Sequence, residues 1–145
     1  MIILKDSIEI KTTPERVFNW LKNLDRHYNE WHPDHIKWIN VTGGLNVGDV
    51  VYFEEYFHGK LHKAKSKITK VEENKRIEFV NLFPTSILAP KGSFIIEPRG
   101  RSCIFTATLS IRFGWIIPRF TKSRLDDLKK HMKEEGENLK KLLEK

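Results

Sequence analysis

The sequence predicts an α+β domain, a curved antiparallel sheet wrapped round a long C-terminal helix, and three observations carry that reading. A helix start signal follows an opening strand-like run. Hydrophobicity then alternates with period two from Ile36, and the last stretch, from about Thr121, places apolar residues at three- and four-residue steps. With 145 residues and no repeat, low-complexity segment or boundary signal, residues 1–145 are expected to form one domain long enough to bury a core.

The elements follow in order. "MIILKDSIEI" is rich in β-branched residues and suits a strand. In "TTPERVFNWLKNL", Thr12 or Thr13 can cap a helix, Pro14 fits its first turn and Glu15 favours its positive end. Val17, Phe18, Leu21 and Leu24 give that helix one apolar face. A second short helix through Tyr28 to Trp31 is stopped by Pro33. Turn signals at "TGGLNVGD", "FHGK", "EENK", "APKG" and "EPRG" then punctuate about six strands of an antiparallel meander. "FGWIIPRF" breaks the alternation, and its five large apolar side chains suit a lid, a membrane contact or a dimer surface, or else plain packing at the helix entry. Beyond it Leu125, Leu128, Met132, Leu139 and Leu142 form the stripe of an amphipathic helix, which a strongly bent sheet can wrap.

Composition narrows the function classes. No apolar run of bilayer-spanning length is present, and acid and lysine come too early for a signal peptide, so a cytoplasmic protein without stable membrane insertion is expected. The single Cys103 sits in the strand-like "CIFTATLSI", where a buried, inert thiol is expected. A net charge of +7 raises the question of nucleic acid. Its distribution speaks against that partner: Lys63, Lys65 and Lys67 alternate with Ala64, Ser66 and Ile68, as on the wet face of a half-buried strand, and Lys129, Lys130, Lys133, Lys140 and Lys141 lie off the helical stripe.

Against this background several polar groups point the wrong way. In "DVVYFEEYF", Val51, Phe53, Glu55 and Phe57 share one face, so Glu55 aims inward if the more apolar set does; in the opposite register both acids are solvated. His131 and Glu135 stand four residues apart within the helical stripe, where two side chains can converge on one ion or simply belong to a core edge and a wet surface. "HYNEWHPDH" packs three histidines, two acids and a tryptophan into nine residues, and His35, just past the turn at Pro33, can point back under the sheet.

Taken over nearly its whole length, the chain resembles the START/Bet v 1-like superfamily, the polyketide cyclase/dehydrase and lipid transport group, on "IEIKTTPERVFNWLKNL", "GGLNVGDVVYF", "ITKVEENKRIEF" and the terminal helix. The resemblance implies the helix-grip fold, with a hydrophobic cavity between sheet and helix. "WHPDH", an inward strand glutamate and a terminal-helix histidine with an acid four residues on are similar to the diacetylphloroglucinol and phloretin hydrolase family. That second resemblance implies His35, Glu55, His131 and Glu135 as ligands of zinc or another divalent metal, and cleavage of a carbon–carbon bond between an acyl group and a phenolic ring. This chain is shorter than those hydrolases, with a compressed spacing from His35 to Glu55.

Two imidazoles and two carboxylates suit zinc and neutralise it for an apolar cavity. Zinc there would polarise a carbonyl and activate a water. His62, sharing strand parity with Ala64, Ser66 and Ile68, is the expected spare acid or base; His27 and His32 are weaker candidates, at least one of them exposed. Two functions stay open: a zinc-dependent hydrolase of an acylated aromatic or similar carbonyl compound, and a non-enzymatic carrier of a lipid or other apolar molecule.

Overall fold

A computed structural model describes residues 1–57, 59–112 and 122–145, with side chains of the last segment from Arg124 onward. The chain runs β1 (Ile2–Ile10), α1 (Pro14–Lys22), α2 (Leu24–Trp31), β2 (His35–Asn40), β3 (Val50–Phe57), β4 (Lys60–Glu72), β5 (Arg76–Asn81), a short 3-10 turn (Thr85–Ile87), β6 (Lys91–Arg99), β7 (Ser102–Ile111) and α3 (Lys122–Leu143). The seven strands form one antiparallel sheet in the order β1-β7-β6-β5-β4-β3-β2. Period-two patterning after residue 35 thus becomes the six-strand meander β2 to β7, and the N-terminal strand adds itself at the far edge by pairing with β7.

The first helix starts as its sequence requires. Thr13 caps it by accepting from the Arg16 amide, with Pro14 in the first turn. Leu24 does not continue α1: the helix stops at Lys22 and Leu24 opens α2, which is longer than the Tyr28–Trp31 turn expected from sequence. Asn23 makes the break, its backbone outside the helical region and its amide donating to the Asn19 carbonyl. Leu24 is buried all the same, so the apolar face spans both short helices.

The inner face of the sheet and the C-terminal half of α3 enclose the main core, with Ile10, Leu21, Trp31, Val51, Phe105 and Leu139 essentially inaccessible. Lys63, Lys65 and Lys67 are exposed while Ala64, Ser66 and Ile68 are buried, as the charge pattern implied. Cys103 is fully buried. No helix among the described residues is long and apolar enough to cross a membrane. "FGWIIPRF" lies outside the described residues.

The N-terminal half of α3 is less deeply buried than its C-terminal half. There Leu125 and Leu128 are only partly buried, packed against the cluster of Leu4, Ala89, Ile111 and Met132. Gly92 in β6 marks one tight point of the sheet: a Cβ there would stand 2.6 Å from Phe79 Cζ and 2.8 Å from the Thr108 carbonyl oxygen. A cavity of about 380 Å³ is walled by aromatic side chains such as Tyr28, Trp38, Phe53 and Phe94. Its size falls within the range of small-molecule pockets.

Candidate metal centre

Four elements deliver polar side chains to one end of that cavity. β3 supplies Glu55, whose alternating face also carries Val51, Phe53 and Phe57 toward the interior, so the inward register is the one adopted. The turn after α2 supplies His35, at the first position of β2 and directly opposite Glu55 in the ladder. α3 supplies His131 and Glu135, one turn apart. α2 supplies Tyr28, for which the sequence signals only a place in a helix.

The side chains expected to act together do meet. His35 Nε2 lies 3.5 Å from Glu55 Oε2 and 2.9 Å from Glu135 Oε2, and His131 Nε2 lies 3.7 Å and 3.5 Å from the same two oxygens. The donor atoms of His35, Glu55 and His131 all fall within 4.8 Å of one another, and Glu135 faces both imidazoles.

Tyr28 ties two of these groups down. Its hydroxyl donates to Glu55 Oε2 at 3.0 Å, its backbone carbonyl accepts from His35 Nδ1 at 3.0 Å, and its ring stacks on His35 with centroids 3.9 Å apart. The carbonyl can only accept, so Nδ1 carries a proton, and in the neutral ring Nε2 then presents a lone pair. That nitrogen is buried and, among the described residues, is the one buried side-chain polar atom without a hydrogen-bond partner. Although Glu135 is 2.9 Å away, a lone pair facing a carboxylate oxygen is repulsive, and a cation between them removes the conflict.

The spacings fit the chemistry of an ion. Ligands about 2.1 Å from a tetrahedral zinc stand about 3.4 Å from each other, close to three of the four separations above. Those three lie at or beyond the outer limit of hydrogen-bond reach. Without an ion, the cluster is a network of shared charge. Burial works against a charged His131, but the hydrogen bond with Glu135 and the fields of Glu135, Glu55 and Asp34 outweigh it and bring its pKa to about 9. Burial would likewise raise Glu135, yet the imidazoles of His131 and His35 bring it down to about 2. Glu55 is raised, by burial first and then by the charge of Glu135. Burial followed by the two carboxylates holds the Tyr28 phenol well above its ordinary range.

The other histidines separate. His62 pairs with Glu55 across the β3–β4 ladder and lines the cavity, but its residue is exposed and its ring touches Phe57, so it stands at the rim rather than among the four. His27 is on the surface, stacked on Trp20 and paired with Glu30 at 2.8 Å. His32, by contrast, is buried beside His131 with ring centroids 4.3 Å apart. Only its place in "WHPDH" could have flagged it.

Comparison with known proteins bears on the fold and the family. No curated protein matches the chain in sequence. Among solved structures, a START superfamily protein from Mycobacterium smegmatis superposes with a TM-score of 0.79 at 13% identity, over 98% of this chain and 97% of that one. The Zhui aromatase/cyclase from Streptomyces sp. R1128 gives 0.78 at 12%, over 99% and 93%, and Ara h 8.0201 gives 0.74 at 14%, over 98% and 97%. At such identities the likeness establishes the helix-grip fold. Residues 1–144 match a sequence family in their own right, so the chain with this cavity belongs to the family described as polyketide cyclase / dehydrase and lipid transport.

Proposed function

We propose that the cavity holds a small, largely aromatic carbonyl compound against a divalent ion, zinc fitting best, and that the protein hydrolyses the bond between its acyl group and its ring. The observation that carries this reading is the buried Nε2 of His35, without a hydrogen-bond partner and facing the carboxylates of Glu135 at 2.9 Å and Glu55 at 3.5 Å. His35, Glu55, His131 and Glu135 would hold the ion. Bound there, zinc supplies Lewis acidity and a water that ionises near neutral pH.

The chain's own residues do the rest. Tyr28, Trp38, Phe53 and Phe94 give an aromatic ring flat partners and keep bulk water from the reacting carbonyl. Tyr28 holds Glu55 and His35 in place through its hydroxyl and carbonyl. His62, at the rim opposite Glu55, can reach both ligand and solvent. Water adds its oxygen to the acyl carbon, the carbon–carbon bond breaks, and the ring carbon takes the proton that His62 gives up and later regains from solvent. That similar folds include an aromatase/cyclase supports aromatic chemistry in such a cavity.

Turnover of a panel of acylated phenols by protein purified without chelator tests the proposal. Hydrolysis that a chelator abolishes and zinc restores is the expected result, with His62→Ala lowering turnover and leaving metal content intact. Metal-replete protein that binds these compounds and returns them unchanged would instead make it a carrier, a reading the predominantly apolar wall favours. Equal turnover by wild type and His62→Ala would remove His62 from the mechanism alone.

A further inference from the structure

Resting on the metal reading above, we propose that Asp34 is a positioning residue that fixes the ring of His131 through Nδ1, with His32 as the buttress behind it. A histidine that offers Nε2 to an ion must carry its proton on Nδ1, and that N–H needs an acceptor to set the ring's orientation. His35 already has one in the Tyr28 carbonyl. His131 turns Nε2 to Glu55 and Glu135, and its Nδ1 faces Asp34 Oδ2 at 3.8 Å. The gap is about 1 Å longer than a hydrogen bond. The Asp34 side chain is 48% exposed, and on the proposal it turns toward His131 to close that gap.

His32 holds the surroundings still. Its Nδ1 accepts from the Asp34 amide at 3.0 Å, so the proton is on Nε2, which donates to Glu134 Oε1 at 3.1 Å. Buried and with both nitrogens engaged, this ring packs on His131 and fixes the backbone from which Asp34 projects. Farther along, the Trp31 indole donates to the Glu135 carbonyl at 2.9 Å and the Asn138 amide donates to the Trp31 carbonyl at 3.0 Å, locking the turn to α3. His32, Asp34 and His131 also form a trio of donors within 4.8 Å. A second ion there would have only Asp34 and one nitrogen of His131, because both His32 nitrogens are taken, and a closed zinc site needs four ligands. One ion with an outer carboxylate accounts for the whole "HPDH" stretch.

The experiment is zinc affinity at one fixed pH, by chelator competition, for wild type, Asp34→Asn, His131→Ala and the double variant, with the visible spectrum of the cobalt-loaded forms and the denaturation midpoint of each metal-free form. Asp34→Asn should weaken binding about 10- to 100-fold, alter the cobalt bands and leave the metal-free form cooperatively folded, its midpoint lowered only by the lost field of Asp34 on His131. In the His131→Ala background it should add nothing. Unchanged affinity in Asp34→Asn, or an equal loss without His131, would overturn the Asp34 assignment while sparing the metal reading. Two zinc ions per wild-type chain falling to one in Asp34→Asn would overturn it in favour of a second site. A wild type that takes up no ion overturns both.

Discussion

Tyr28 shows at residue scale how the cavity is organised, because one residue orders both Glu55 and His35, through its hydroxyl, its carbonyl and its ring. Tyr28→Phe removes the hydroxyl that satisfies Glu55 and keeps the ring that stacks on His35. The expected cost is about 0.5–1.5 kcal/mol in the metal-free protein, read from chemical denaturation, with weaker zinc binding in the same variant. The charge network also sets a pH dependence. With His131 raised to about 9, its stabilising contribution to the metal-free protein is complete below its unfolded pKa near 6.5 and is lost as pH rises through 9. Glu135, lowered to about 2, contributes fully above its unfolded pKa near 4.5 and loses that contribution as pH falls through 2. Metal-free protein should therefore lose stability between about pH 6.5 and 9. Zinc uptake at neutral pH should release a proton from His131, visible as a buffer-dependent heat in calorimetry.

Among the elements, α3 does two jobs along its length. Leu139 is inaccessible and packs in the main core, so Leu139→Ala should cost about 2–5 kcal/mol. Leu128 is only partly buried and lines the cavity, so its truncation enlarges an existing space and should cost distinctly less. Equal shifts of the denaturation midpoint for the two variants would contradict this division. Gly92→Ala should destabilise by about 1–3 kcal/mol, because Phe79 can yield only into the cavity and the Thr108 carbonyl cannot yield. The stripe Leu125 to Leu142 was legible in the sequence because burial follows helical period. The split within that stripe was not, since partial burial against a cavity and full burial in a core select the same apolar residues. The α1–α2 break was hidden for a similar reason: Asn23 interrupts the backbone and leaves the apolar face continuous through Leu24.

At the scale of the whole molecule, alternation and turn chemistry specify the sheet, and the sheet then decides which polar residues face inward. Strand parity gave Glu55, and four-residue spacing gave His131 with Glu135. His35, Tyr28, Asp34 and His32 meet only because α2 and the turn beyond it pack on α3, a long-range contact that no local periodicity encodes. His62 shows the limit of parity: it lies on the inner face of β4 and yet at the rim, because that end of the strand extends past β5. The central claim is that this convergence exists to hold an ion. Elemental analysis of protein purified without chelator, beside Glu55→Gln and His131→Ala handled identically, tests it most directly. The account predicts close to one divalent ion per wild-type chain and a marked loss in both variants, each still folded by circular dichroism. Wild-type protein free of metal that also fails to take up added zinc would contradict it.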